Sequence, residues 1–262
     1  MPAPTERPIV VGVLNCTPDS FFDGGVRPSL DRQLADAMAM LQAGADWIDV
    51  GGESTRPGAT PVDAHEECRR VLPVIRALAP LTTVCIDTTK ASVAARALAA
   101  GATIINDVTG LRDPEMAAVS ADAAATVVMH MRGTPETMRG LTDYQHLIVE
   151  VRDALLAAAE RARSPEVWLD PGIGFAKSAP QSLSLLKHTE ALVATGLPVY
   201  IGASRKSFIG HTLGLDSPAD RLPGSLAAVA AAFQRGARAF RVHDVAETRQ
   251  LLDLMWAVER AE

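Results

Sequence analysis

AAGATIIND, residues 99–107, ends a helical stretch on glycine, runs through a short β-branched segment and stops on an amide and a carboxylate. The same order returns in QAGADWIDV, residues 42–50, and in RGARAFRVH, residues 235–243. Glycine just past a helix tolerates the left-handed conformation that closes it, so Gly44, Gly101 and Gly236 read as caps between a helix and the next strand. A weak repeat of helix, glycine and strand is the mark of parallel βαβ units.

Working outward, β-rich runs begin near residues 9, 46, 82, 103, 126, 166, 198 and 239, with helical patterns between them. Eight such units are expected to close a single (β/α)8 barrel, one domain over residues 1–262. An open Rossmann-like sheet is the alternative. Against it, Gly172 and Gly174 in DPGIGFAK lack the third glycine of the dinucleotide fingerprint, and no G-x-x-x-x-G-K-[ST] loop occurs.

The chain has 262 residues, 48% of them hydrophobic, enough for one large core. A net charge of −6 without a basic run argues against a nucleic-acid face and for a small partner. Cys16, Cys68 and Cys85 are scattered and odd in number, which fits neither a disulfide framework nor a zinc site. MPAPTERPIV lacks a long apolar run, and no later stretch reaches the ~20 apolar residues that cross a bilayer. The cytoplasm is the expected location.

Several apolar runs end on a polar side chain: Asp87 after TVCI, Asn106 after TII, Asp170 after VWL, Lys206 after PVYIGASR, and Arg241 with His243 in AFRVHD. In a barrel the active site gathers at the C-terminal strand ends, so these groups are expected to share one mouth. Period two puts Arg241 and His243 on one side of their strand, as a guanidinium fork and a ring donor suited to phosphate oxygens. The competing reading pairs Arg241 with Asp244. Asp87 either enters the mouth or caps the following helix, and Asp107 competes with Asn106 in the same way. His130 is expected to bond within the barrel, with Met129 as an apolar wall.

Two glycine-containing loops, Asn15 to Gly25 and Gly51 to Ala59, carry hydroxyls, carboxylates and one cation, Arg56. Such loops often cover a site. Phe21 and Phe22 either reach a ligand or fold on their own loop. SRKSF supplies Lys206 over the pocket, with Arg205 free to pair outward.

Read in order, GVLNCTPDSFFDGG, IDVGGESTRPGA, IDTTKASVA, IINDVTG, VVMHMRGTPETM, LDPGIGFAKS, IGASRKSFIG and RVHDV resemble the dihydropteroate synthase family of the folate pathway. The resemblance implies a homodimeric (β/α)8 barrel that joins a dihydropterin diphosphate to 4-aminobenzoate. It further implies that Asp87, Asn106, Asp170 and Lys206 hold the pterin, with Met129, Phe175 and Gly202 as its walls. Asn15, Arg241 and His243 would bind the diphosphate, with Mg²⁺ on Asn15. Thr55 and Arg56 would come from the second loop, and Phe21, Pro57 and Ser207 would flank the aminobenzoate that sulfonamide drugs mimic. Asp87, Arg56, Lys206, Arg241 and His243 are the expected catalytic groups.

Two other functions share part of this pattern. A methyl-transfer module would use the strand-end Asp and Asn but has no need of SRKS, RVHD or the paired loops. A non-catalytic pterin-binding barrel would release no diphosphate.

Overall fold

The computed structural model describes residues 7–17, 29–54 and 61–261. The strands are β1 (Ile9–Asn15), β2 (Trp47–Gly51), β3 (Thr83–Asp87), β4 (Ile104–Asp107), β5 (Ala125–Met129), β6 (Glu166–Asp170), β7 (Tyr200–Ile201) and β8 (Ala239–Val242). Every pairing is parallel, and the order β6-β5-β4-β3-β2-β1-β8-β7 carries the sheet round on itself. β6 and β7 meet at a single bridge, Leu169 to Val199, where the Leu169 N–H donates to the Pro198 carbonyl at 2.9 Å. The expected barrel therefore forms, with one thin seam.

Helices α1 (Leu30–Gln42), α2 (Ala64–Leu78), α3 (Ala91–Ala99), α4 (Pro114–Val119) and α5 (Leu147–Ala159) follow the first five strands. After β6 come α6 (Ala179–Lys187) and α7 (Glu190–Val193), then α8 (Ser207–Leu213) and α9 (Leu222–Phe233) after β7, and α10 (Val245–Glu259) after β8. Side-chain oxygens start several of them: Ser29 accepts from Arg32 N–H, Asp63 from Glu66 N–H, and Ser178 forms a reciprocal capping box with Gln181. The three cap glycines have φ of +96°, +110° and +91°.

Two helical expectations change. Apolar spacing predicts one helix from Ser182 to Leu192, but the helix breaks at His188, where the Thr189 hydroxyl donates to the Leu185 and Leu186 carbonyls. α8 was not expected, because it starts directly after SRK with no side-chain cap to announce it.

Strand alternation gives each wall two faces. Val50, Ile86, Ile105, Val128 and Phe240 face the helices in the main core. Val11, Cys85, Ile104, Ala125, Val127, Trp168, Tyr200 and Ala239 fill the bore, with Ile9 and Trp47 packed on them. Trp47 and Trp168 meet edge to face, their centroids 5.4 Å apart. The bore is thus plugged from below, and its inward face continues upward into polar residues.

Candidate active site at the C-terminal mouth

Register carries Asn15, Gly51, Asp87 and Asn106 side by side: Asn15 pairs with Gly51, Gly51 with Asp87, and Asp87 with Asn106. Met129 pairs with Asp170 farther round. Each lies one or two inward positions above the apolar plug. Two glycines leave room among them. A Cβ at Gly51 would lie 3.7 Å from Asp87 Oδ2 and 3.9 Å from Asn15 Oδ1. A Cβ at Gly202 would lie 3.7 Å from Asp170 Oδ2, 3.8 Å from Lys206 Nζ and 3.9 Å from the Arg241 Cβ. The strand-end groups therefore converge from β1, β3, β6, β7 and β8.

Arg241 does not pair with Asp244. Its Nε donates to Asp49 Oδ2 at 2.5 Å and its Nη2 to Asp87 Oδ2 at 2.8 Å, while Arg205 takes Asp244. Burial disfavours the Arg241 charge, but Asp49 and Asp87 more than offset this and hold the guanidinium firmly protonated. Asp87 caps no helix, since α3 is entered at Lys90. Burial pushes its carboxyl up to about 7 against the pull of Arg241, with Asp49, Glu67 and Asp107 adding to the rise. Its Oδ1 has no partner among the described residues.

Asp107 proves to be the turn-former, accepting from the backbone N–H of Thr109 and Leu111, each at 2.8 Å. That releases Asn106, 4% exposed, from any capping duty. Asp170 Oδ1 accepts the Gly172 N–H at 2.7 Å, and burial raises its carboxyl above the usual range while Lys206 pulls it back. Lys206 donates to the Ile173 carbonyl at 2.6 Å and sits 4.6 Å from the Phe175 ring centroid. Burial brings its ammonium down to about 8. His243 meets the Ser204 hydroxyl through Nδ1 at 3.1 Å. Ser207 opens α8 as an exposed residue. Phe21, Thr55, Arg56 and Pro57 lie outside the described residues.

The sequence profile described as "Pterin binding enzyme" matches residues 11–243. A dihydropteroate synthase of Synechocystis sp. is 45% identical over 266 residues, covering 96% of this chain and 91% of that protein. The chain belongs to the dihydropteroate synthases of the pterin-binding enzyme family. Among solved structures, Xanthomonas albilineans dihydropteroate synthase with 4-aminobenzoic acid is 41% identical, with a TM-score of 0.89 over 98% of this chain and 95% of that one. The Burkholderia cenocepacia dihydropteroate synthase complexed with 7,8-dihydropteroate is 40% identical, with a TM-score of 0.87 over 97% and 92%.

Within this dihydropteroate synthase the sequence motifs hid three contributors. Asp49 is buried mid-strand and signals itself only as a carboxylate on the inward alternation of WIDVG. Ser204 had a signal as the hydroxyl that opens SRKSF after the small residues Gly202 and Ala203. Lys177, in GFAKS, donates to His130 Nδ1 at 2.9 Å, to the His130 carbonyl at 3.1 Å and to the Phe175 carbonyl at 2.9 Å. Three acceptors match the three N–H of one ammonium, and they tie the end of β5 to the Phe175 wall. Beneath that strut, Gly172 has φ +67°, and a Cβ there would lie 2.1 Å from the His130 carbonyl oxygen. Only glycine fits.

The loop after β2 is gripped at its described ends. Lys90 holds Glu53 at 2.5 Å and the fully buried Glu67 at 2.7 Å, while Glu53 Oε1 accepts the Val62 N–H at 2.9 Å. Arg70 adds a bond to the Gly52 carbonyl at 2.9 Å.

Proposed function

We propose that this chain condenses (7,8-dihydropterin-6-yl)methyl diphosphate with 4-aminobenzoate, giving 7,8-dihydropteroate and diphosphate. The convergence of Asp170, Asn106, Asp87, Lys206 and Arg241 on one mouth carries the reading, because these groups match a bicyclic ring with a donor-rich edge and an anionic tail. The relatives with bound 4-aminobenzoic acid and 7,8-dihydropteroate support the same substrates.

Asp170 accepts the adjacent N–H groups of the aminopyrimidine edge, and Asn106 completes that edge as donor and acceptor together. Leaving such buried groups unpaired costs ~1–3 kcal/mol each, so the same bonds discriminate against look-alike heterocycles. Met129, Phe175 and Gly202 wall the ring. Arg241 stacks on it and, with His243 and Asn15, receives the diphosphate. The C–O bond breaks toward the diphosphate, the aminobenzoate nitrogen bonds to the methyl carbon, and that nitrogen's proton leaves to solvent. Asp87 offsets the positive charge that gathers on the pterin as the bond breaks. Thr55 and Arg56 assist from the second loop, and Phe21, Pro57 and Ser207 flank the aminobenzoate.

Mg²⁺ is part of the proposal. No group of three His, Cys, Asp or Glu that could hold a metal occurs among the described residues. The amide oxygen of Asn15, beside the Asp87 carboxylate, fits a hard cation that takes its other ligands from diphosphate and water. Asn15 would hold Mg²⁺, which when bound offsets charge on the leaving group.

The proposal extends to a cytoplasmic homodimer. Leu254 and Val258 of α10 are 67% and 65% exposed, apolar surface that a second copy would cover. The three cysteines are buried free thiols, as a reducing compartment keeps them, and no described helix is long and apolar enough to cross a membrane.

The deciding experiment measures diphosphate released from the pterin substrate with and without 4-aminobenzoate. Release that requires both substrates supports the condensation. Binding of the pterin without release would leave a binding module instead.

A further inference from the structure

Asp49 stands mid-strand in β2, one inward position below Gly51, with no solvent exposure. The bore beside and below it is packed with apolar side chains. An ionised carboxylate at that depth costs several kcal/mol unless a cation compensates it, and an apolar residue of similar volume would serve the barrel at least as well. A charge retained there has a use other than packing.

Its partner identifies the use. Arg241 is level with Val11 in the β1–β8 register, whereas Asp49 is level with Val13, and Asp87 with Gly51, the partner of Asn15. The Arg241 side chain therefore climbs obliquely from β8 and meets two carboxylates at successive heights, Asp49 through Nε and Asp87 through Nη2. Two anchored N–H groups fix the plane of a planar group, not merely its position. Asp87 is also a lining group of the mouth, so the upper anchor is shared with any ligand. Asp49 is enclosed: beside Arg241 its hydrogen-bonding neighbour is the buried Cys85 thiol, and its Oδ1 finds no partner among the described residues. The Arg241 side chain keeps 22% exposure, which leaves its outer edge open to the mouth.

We propose that Asp49 is a positioning residue for the condensation, anchoring Arg241 from below so that the guanidinium stays aimed at the diphosphate while the pterin engages Asp87. The inference rests on the activity proposed above.

A double-mutant cycle tests it, with Asp49→Asn, Arg241→Gln and the double variant, binding measured by calorimetry on folded full-length protein. A hydrogen bond between charged groups is among the strong ones, so Asp49→Asn should weaken pterin diphosphate binding roughly 10- to 100-fold. Affinity for the unphosphorylated hydroxymethyl dihydropterin should stay within about threefold, because its ring edge is read by other residues. In the Arg241→Gln background, Asp49→Asn should cost less than about threefold, since coupled residues are not additive. Equal losses in both backgrounds, or equal losses for both pterins, would overturn the role. If Asp49→Asn does not fold, Asp49→Ser replaces it in the same cycle. Diphosphate release by the parent enzyme is measured in parallel: a failed cycle in an active enzyme removes Asp49, whereas a silent parent removes the activity itself.

Discussion

The Nζ of Lys177 lies 2.9 Å from Nδ1 of His130, a contact between two bases with no carboxylate bonded to either among the described residues. Burial, then Lys177 and Arg132, pushes His130 down to about 3, and burial brings Lys177 down to about 7. For both, the folded value lies below the unfolded one, so each binds fewer protons in the fold than in the open chain. His130's contribution to stability is therefore intact above its ordinary value of 6.5 and is lost as pH falls toward 3. In urea unfolding, His130→Gln should lose less stability than the parent between about pH 7 and about pH 5. Parallel losses would show that His130 is protonated in the fold.

Asp170→Asn keeps the shape of the side chain but cannot accept two N–H groups as a carboxylate does. Pterin affinity should fall roughly 10- to 100-fold, with the melting temperature nearly unchanged, since one charged hydrogen-bond acceptor is worth ~1.5–3 kcal/mol. Retained affinity by calorimetry would remove Asp170 from the edge contact.

Gly202→Ala adds a methyl whose nearest neighbours are at ordinary contact distance, Asp170 Oδ2 at 3.7 Å and Lys206 Nζ at 3.8 Å. The fold should tolerate it to within ~1 kcal/mol while the pocket wall moves inward. Pterin KM should rise roughly tenfold, about 1.4 kcal/mol, with little change in unfolding midpoint. A loss of stability with unchanged KM would place Gly202 in packing alone.

Gly172→Ala is the contrasting case. Its Cβ would strike the His130 carbonyl at 2.1 Å in a backbone conformation of φ +67°. A loss of ~3 kcal/mol or more is expected by chemical denaturation, because neither backbone segment can yield without dismantling the Lys177 strut. A loss below ~1 kcal/mol would mean that the two loops move apart freely.

Departure of diphosphate before amine attack predicts a labelling result. Pterin diphosphate carrying heavy oxygen at the bridging position should scramble it into non-bridging positions when incubated with enzyme and no aminobenzoate. Intact label after many turnover times, in enzyme shown to bind the substrate, would favour attack and departure in one step.

Sequence patterns disclosed the barrel because the strands are short apolar runs, several of them closed by a polar residue such as Asn15, Asp87, Asp107 or Asp170, and because glycine punctuates the helix ends at Gly44, Gly101 and Gly236. The same logic exposed Asp87, Asn106, Asp170, Lys206 and Arg241, which stand where burial ends and chemistry begins. Asp49 escaped it because it lies inside its strand, and its meaning depends on a residue 192 positions away. Lys177 escaped because its partners are mostly backbone carbonyls, which no side-chain pattern encodes. α8 was missed for want of a capping residue. What Arg241 pairs with was likewise undecidable from sequence: Asp244 is near along the chain, but Arg205 reaches it first in space.

The lone bridge from Leu169 to Val199 makes the wall a hoop fastened by one stitch. Asp170 and Gly202 stand on its two lips, and Lys206 leans back across them to the Ile173 carbonyl. A guest gripped from both sides acts as a rivet through that opening. Occupancy of the mouth should then be felt as mechanical reinforcement, with amide exchange at Tyr200 and Ile201 slowing as the two lips are pinned together.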